Sequence, residues 1–475
     1  MTRVSVSAAR EQVRFALTEL VSFYAREKGF RPLSGASGKS KRRASRLSAR
    51  TRIPHAKTAA FEPDLIWLDG KRVVWKFYVF PERATLRRLN RNIDFAVHAI
   101  VCEDSAGNLG IIEPSQFLSH MSAVSSAAEQ EKVRSLTRDI ASVSIPYPDF
   151  HFKGTVRKNS EFVKDHFSLC IQTGFVHKPA PGQFLQVLCD PGPHDESTRY
   201  RSHRYSDGRW PTLRGIELLD KRPFLRRPFS IASYGPPHST RRTGDAHFGA
   251  EWMHLIHWVQ SEFEIIYRRL PEGPGTTALA RDKAGDTIDI VGPLGRGFTI
   301  SPLPKVALLV GGGIGSPPLV FLANELLRNG VEAHVFLGAV TASKIPFRLT
   351  GEAGNRIARF ERMGISPVVS TDDGSAGRRG LVTEALVEYL EKEWGPSSAI
   401  KIFACGPRPM LAALDGIAGR YKLPCEALLE ERMACGFGAC ISCVCAVKEP
   451  GQKARFTRIC TEGPAFDVAT VMWHA

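Results

Sequence analysis

The chain has 475 residues, 43% hydrophobic and 24% charged, which excludes wholesale disorder and leaves room for two to four domains with cores of their own. No apolar run reaches the roughly 18–20 residues of a spanning helix, so no membrane partner is expected. The N-terminal "MTRVSVSAAREQVRFALTEL" scatters charges through its apolar positions and is no secretory signal, which makes the cytoplasm the expected compartment.

Net charge is +16 at pH 7, which suits an acidic partner or nucleic acid, but the excess is uneven. Residues 8–28 carry Val13, Leu17, Leu20, Val21 and Tyr24 at helical spacing, and Gly29 and Pro32 end that helix. "GKSKRRASRLSARTR" (38–52) then places seven Lys or Arg in fifteen residues with no acid. A solvated loop is the plain reading, and a nucleic-acid contact through 38–57 is the alternative. No aromatic residue interleaves with these charges, which weakens the case for a stacking platform.

"DLIWLDGKRVVWKFYVF" reads as two strands joined at Asp69-Gly70, a hairpin signal. A helix over 84–95 and a strand in "AVHAIVCED" complete a small α/β domain, 1–143, whose role the residues do not assign. Pro63-Asp64 followed by Lys76 resembles the PD-(D/E)xK nuclease pattern. The acid expected two positions before the lysine is Val74, so a two-carboxylate magnesium site is incomplete. "SIPYPDF" (144–150) is a linker.

From 151 to 300 the texture is short strands parted by Gly and Pro: "FKGTVRKN", "FSLCIQTG", "GQFLQVLCD", "FEIIYRRL" and "DTIDIVGP". These predict an antiparallel barrel, interrupted by polar surface loops at about 191–221 and 235–250 that add little to a core. Between the third and fourth of these strands, "RRPFSIAS" sets a cation at Arg227 beside Pro228, Phe229 and Ser230. Such a strand can hold a flavin phosphate and pack the ring edge. Downstream, Gly275, Thr276 and Thr277 in "EGPGTTAL" offer a second cradle of small residues.

At 305 the pattern becomes alternating buried strands and helices, the signature of a doubly wound parallel sheet over 301–424. "KVALLVGGGIG" runs a strand into Gly311, Gly312, Gly313, Ile314 and Gly315, a loop whose N–H groups can close on a pyrophosphate at a helix start. The spacing is not G-x-G-x-x-G and no acid clearly ends the second strand, so a standard Rossmann dehydrogenase is disfavoured and no ribose-reading residue is named. Cys405, Gly406 and Pro407 end another strand at the carboxyl edge, where ligands bind in such sheets.

Half of the ten cysteines, Cys435, Cys440, Cys443, Cys445 and Cys460, fall in the last forty-one residues, within a lobe placed at 425–475. Cys435, Cys440 and Cys443 give C-x4-C-x2-C, with Cys460 further on, the plant-type spacing for a [2Fe–2S] cluster. Gly436 and Gly438 lie where side chains would crowd such a cluster. Structural zinc is the rival, but zinc sites pair two short knuckles and here three ligands share one loop. Cys445 is the spare, expected to point away or into the packing.

The motifs "LRRPFSI", "IIYR", "GPGT", "GDTIDIVGPLGRGF", "VGGGIGSPPL", "STDDGSAGRRGLVT", "FACGPRPML", "LLEERMACGFGACISCVCAVK" and "CTEGPAF" appear in an order that resembles the ferredoxin-NADP reductase superfamily. Within that superfamily, residues 151–475 look like the electron-transfer subunits of NAD-dependent dihydroorotate dehydrogenase, which serve pyrimidine biosynthesis. The resemblance implies FAD at Arg227–Ser230, at Ile266, Tyr267 and Arg268, and at Gly275 and Thr276. It implies NAD(H) against Gly311–Gly315 and Cys405–Pro407, with Cys405 lining the nicotinamide site rather than acting as a nucleophile. It implies a [2Fe–2S] cluster on Cys435, Cys440, Cys443 and Cys460, and an FMN-containing catalytic subunit as partner in a hetero-oligomer. In that family electrons pass singly through the cluster to FAD, which delivers a hydride to NAD⁺. Residues 1–150 have no counterpart there. Reductase subunits of sulfite reductases and hydrogenases share the architecture, so a different acceptor is the first alternative. A redox-sensing nucleic-acid-binding protein is the second.

Overall fold

The computed structural model describes residues 31–34, 65–69, 72–79, 89, 100–104, 107–112, 150–190, 225–237, 257–393, 399–449 and 452–473. The expected helix over 8–28, the basic loop 38–52, the loop 191–221 and most of the segments 84–95, 144–150 and 235–250 lie outside the described residues. Packing divides the chain into two units, Met1–Pro148 with Gly174–Lys178 and Gly235–Ser261, and Asp149–Thr173 with Pro179–Tyr234 and Glu262–Ala475. Among the described residues no helix is long and apolar enough to cross a membrane.

The first unit opens with Arg31–Ser34 (β1), Leu65–Asp69 (β2), Arg72–Val79 (β3), Ile100–Asp104 (β4) and Leu109–Ile112 (β5), each antiparallel to the next. The hairpin expected at Asp69-Gly70 is present, with Asp69 opposite Arg72. Further along come His151–Val163 (β6), His166–Thr173 (β7), Phe184–Val187 (β8), Arg227–Ser230 (β9), Ser233–Gly235 (β10) and His257–Trp258 (β11). Strand β11 returns to pair with β5 as the sixth strand of the first sheet. Val259, just beyond β11, is buried with Tyr78, Val101 and Ile111. Packing groups Gly174–Lys178 and Gly235–Ser261 with Met1–Pro148.

The remaining strands of that run join Ser261–Arg268 (β12) and Thr287–Leu294 (β13) in a seven-stranded sheet of order β10-β12-β7-β6-β13-β8-β9. Pairing is antiparallel at β6–β7, β6–β13, β13–β8 and β8–β9. Strands β9 and β10 stand at opposite ends, yet only Ile231 and Ala232 join them. The sheet must therefore curl until its ends meet. The Ala232 N–H donates to the Glu264 carbonyl of β12, and the Ile231 N–H donates to the Gln183 carbonyl beside β8. Helix α1, Pro274–Leu279, follows β12.

The third sheet is built from Val306–Gly312 (β14), helix Pro317–Arg328 (α2), Glu332–Ala339 (β15), helix Ala358–Glu361 (α3), Val368–Thr371 (β16), Arg378–Arg379 (β17), helix Val382–Glu393 (α4), Ile400–Cys405 (β18), helix Arg408–Tyr421 (α5) and Cys425–Leu428 (β19). The hairpin Val444–Glu449 (β20) and Gln452–Arg458 (β21) comes next, then Ala465–Asp467 (β22). Strand order is β17-β16-β15-β14-β18-β19-β22, parallel except for β22 at the edge. Side chains alternate along a strand, and β14 sends Ala307 and Leu309 into one core, Leu308 and Val310 into the other. Helix α2 covers the first face, α4 and α5 the second. A strand buried on both faces reads as the unbroken apolar run seen in "VALLV".

One ion pair ties this sheet to the barrel. Arg359 of α3 holds both carboxylate oxygens of Glu264 on β12, and the Ser168 hydroxyl donates to Glu264 Oε1 at 2.8 Å. Glu264 is buried. Removing one partner strands a buried charge at a cost of about 3–5 kcal/mol. Arg359→Met is therefore expected to lower stability by roughly 3 kcal/mol in urea unfolding, and adding Glu264→Gln is expected to recover most of the loss.

Candidate functional site

Strand order reverses between β14 and β18, so the crevice at their carboxyl ends is where such a sheet takes a ligand. The two glycine motifs predicted there do meet. A Cβ on Gly315 would lie 2.7 Å from the Cys405 carbonyl and from Gly406 Cα, and one on Gly406 would lie 2.9 Å from Gly312 Cα. Only bare backbone permits this approach. Gly313 has φ +50°, and a Cβ there would find nothing nearer than the Lys344 carbonyl at 3.8 Å, so the loop's outer side is open. Ile314 is partly buried beside the core under α2. Ser316 caps the loop, fully enclosed, and Pro317 opens α2. These features fit a pyrophosphate laid across Gly311–Gly315.

Cys405 lies at the carboxyl end of β18, partly exposed, and opposite Gly311 in the register. Burial of the thiol, with Glu430 adding to it, pushes its pKa far above the ordinary range. A shift in that direction favours the protonated thiol over the thiolate. Gly406 and Pro407 continue into α5, for which Pro407 is the N-cap.

On the barrel, Arg227, Pro228, Phe229 and Ser230 form β9 itself, with Phe229 buried and Ser230 partly so. A Cβ on Gly275 would lie 3.1 Å from Arg227 Cγ and 3.2 Å from Arg227 Nε, so the guanidinium runs over the first turn of α1. The two predicted cradles are therefore one. Thr276 Oγ1 accepts from the Leu270 N–H at 3.0 Å, and the Thr277 hydroxyl donates to the Leu270 carbonyl at 3.0 Å, fixing this turn. Ile266 and Tyr267 on β12 are buried, Arg268 less so. The Tyr267 ring meets Phe229 edge-on at 5.7 Å and stacks on Phe167 at 5.4 Å. Its hydroxyl donates to Asn159 Oδ1 at 3.1 Å, while Asn159 Nδ2 donates to the Leu279 carbonyl at the end of α1. A cation on β9, a small-residue turn at α1 and an aromatic wall from β9 and β12 suit a flavin dinucleotide.

The cysteine loop resolves into two pairs. At the surface, the Cys440 N–H points at Cys435 Sγ at 3.4 Å, and Cys440 Sγ lies 3.1 Å from Ser442 Oγ. These hydrogen bonds, Ser442 first, draw the Cys440 thiol down to about 6. Inside, Cys443 and Cys460 are buried together in one core, and burial foremost, with Cys443 beside it, pushes Cys460 up to about 12. Among the described residues no three His, Cys, Asp or Glu groups gather about one point as a single ion needs. Gly436 and Gly438, at φ +81° and +88°, leave backbone bare, and the four cysteines Cys435, Cys440, Cys443 and Cys460 would suit a two-iron group. The Arg458 guanidinium binds the Gly438 carbonyl at 3.2 Å and Glu462 at 2.8 Å, bracing the loop from β21. Cys445 is buried on β20 with Val447 and Ile459, its thiol pushed up to about 11 by burial.

The order of sheets and sites defines an NAD(H) oxidoreductase of the electron-transferring kind. Residues 309–415 match the family described as "Oxidoreductase NAD-binding domain", and residues 430–472 match "Iron-sulfur cluster binding domain of dihydroorotate dehydrogenase B". The electron transfer subunit of dihydroorotate dehydrogenase B (NAD(+)) from Geobacillus kaustophilus is 38% identical over 252 residues, covering 53% of this chain and 81% of that protein. The subunit of the same description from Shouchella clausii is 32% identical over 326 residues, covering 67% of this chain and 96% of that protein. A solved structure of an NADH-dependent reduced ferredoxin-NADP oxidoreductase resembles 67% of this chain and 90% of its own at 23% identity, with a TM-score of 0.46. The chain belongs to the family of electron transfer subunits of dihydroorotate dehydrogenase B (NAD(+)).

Sequence reasoning missed Gln186, which no spacing or composition marks and which the fold sets against the cysteine loop. It also missed Ile441, a β-branched residue at φ +56° between two of the cysteines, a conformation that costs about 1–3 kcal/mol. Cys445→Ser is expected to leave the visible spectrum of the purified protein unchanged, whereas Cys460→Ser is expected to abolish the iron-dependent bands. Gly315→Ala is expected to weaken NADH binding about tenfold or more through a displaced loop, with flavin and iron content unaltered, read by anaerobic NADH titration.

Proposed function

We propose that this chain carries electrons between NAD(H) and a separate FMN-containing catalytic subunit that oxidises dihydroorotate, as part of pyrimidine biosynthesis in the cytoplasm. A flavin exchanges electrons singly or in pairs and an iron–sulfur cluster one at a time, which is the chemistry FAD and a [2Fe–2S] group supply when bound. The observation that carries the reading is the gathering of Cys435 with Cys440 at the surface and of Cys443 with Cys460 in the core beneath, in a lobe packed on barrel strands β8 and β13.

The chain's own residues divide the work. Gly311–Gly315 and Cys405–Pro407 bind and orient the dinucleotide. Cys405, kept neutral, shapes the nicotinamide side without competing as a base. Arg227 neutralises flavin phosphate over Gly275 and Thr276, and Phe229, Ser230 and Ile266–Arg268 wall the ring. None of the ten cysteines is in a disulfide, which suits a reducing compartment.

Apolar residues stand in the open around the cysteine loop. Phe437 is 59% exposed, Ile441 64% and Phe456 73%. Large apolar groups so placed serve as anchors in an interface, and a strained exposed Ile beside the surface cysteine pair is the cost of presenting one. We assign this edge to the catalytic subunit in a hetero-oligomer. Dihydroorotate is expected to reduce the purified chain only after an FMN-containing catalytic subunit is added. In that assay Phe437→Ser should raise the subunit concentration needed at least about tenfold, with the NADH-driven reaction unchanged. Reduction by dihydroorotate without the second subunit would contradict the reading.

A further inference from the structure

Gln186 lies in the middle of β8, whose four residues are all buried, and is itself 0% exposed. Both its Nε2 and its Oε1 lack a hydrogen-bond partner. A carboxamide carries two N–H donors and an acceptor, and leaving these enclosed and unmade is a cost that Leu or Met at the same site would avoid. An enclosed amide without a protein partner points to a partner that is not protein.

Its surroundings say which. In the register Gln186 stands opposite Pro228 of β9, inside the proposed flavin strand. A Cβ on Gly436 would lie 2.6 Å from both Gln186 Cγ and Gln186 Nε2. The end of the side chain therefore rests on the peptide that follows Cys435, and Gly436 is bare where it rests. Thiolate and sulfide sulfurs accept hydrogen bonds and donate none, so the group facing them must be a donor.

Resting on the assignment of an iron–sulfur cluster to these cysteines, we propose that Gln186 is a positioning residue for electron transfer: its carboxamide N–H donates to a sulfur of the cluster held beside Cys435 and raises the cluster's reduction potential. A donor to sulfur stabilises the reduced, more negative state. The barrel strand adjoining the flavin motif thereby sets the driving force across the gap between the two redox groups.

Gln186→Met keeps length and volume and removes the polar atoms. In the loaded protein, at a fixed ambient potential, the ratio of reduced to oxidised cluster is expected to fall about tenfold, equivalent to roughly 59 mV for one electron. The chain stripped of flavin and iron is expected to unfold at a higher temperature, since the orphaned groups are gone. A loaded variant with the wild-type potential overturns the proposal. In the wild-type protein grown with side-chain ¹⁵N-glutamine, the reduced cluster is expected to show a ¹⁵N hyperfine coupling that the variant lacks. If the variant retains no iron, that wild-type spectrum decides alone, and absence of the coupling overturns the proposal. If wild-type protein binds flavin and NADH but holds no cluster, the cluster assignment falls first and takes this inference with it.

Discussion

Strand β8 is four residues long, and the electron path depends on what lies against it. Its edges are bonded to β13 and β9, so no residue in it faces solvent. Phe184 packs into the core shared with Cys443, Cys445, Val447, Ile459 and Cys460, while Gln186 meets Gly436. On the other edge, β9 carries the proposed flavin motif. One wall therefore serves both the barrel and the cysteine lobe. Electron transfer needs its groups held at short, fixed separation, and a wall bonded on both edges supplies that without a hinge.

The contacts around this wall are of the same tight kind. A Cβ on Gly295, just past β13, would lie 2.7 Å from Pro464 of the cysteine lobe, and the Arg296 N–H donates to the Gly463 carbonyl at 2.5 Å. Strand β22 from that lobe closes the edge of the nucleotide sheet against β19. The lobe is thus bound into both neighbours. Arg359 and Glu264 tie the third side, from sheet to barrel. Within the lobe, the two cysteine pairs differ in setting: hydrogen bonds hold the surface thiol of Cys440 low, and burial holds Cys460 high. The outer pair lies beside exposed Ile441 and the inner pair lies in the core beside Phe184, so the loop has an outward and an inward end.

Much of this was legible in the residues, and the reason is locality. Three of the four cysteines sit within nine residues, so their spacing alone describes the loop. Glycine loops that end a buried apolar run are likewise local, and the fold brings Gly312 and Gly315 onto Gly406 as two such loops at neighbouring strand ends must. What was not legible is non-local. Strand β11 joins β5 across a separation of well over a hundred residues, and no periodicity foretells the partner of a two-residue strand. Gln186 read as one polar residue in an apolar strand; its meaning comes from having no partner. The ribose-reading position stayed unnamed because β15 ends at Ala339 and Val340 and Thr341 follow it, which bring no carboxylate to the place where an acid would be sought.

The central claim is that one chain joins a two-electron site on the nucleotide sheet to a one-electron site in the cysteine lobe through the barrel between them. The direct measurement is anaerobic stopped-flow mixing of the loaded protein with one equivalent of NADH, following flavin and iron–sulfur absorbance together. The account predicts loss of flavin absorbance first, then a slower change in the iron–sulfur bands that follows it at a concentration-independent rate. Bleaching of the flavin with iron–sulfur bands that never respond, or a protein whose four cysteines hold zinc, would contradict it.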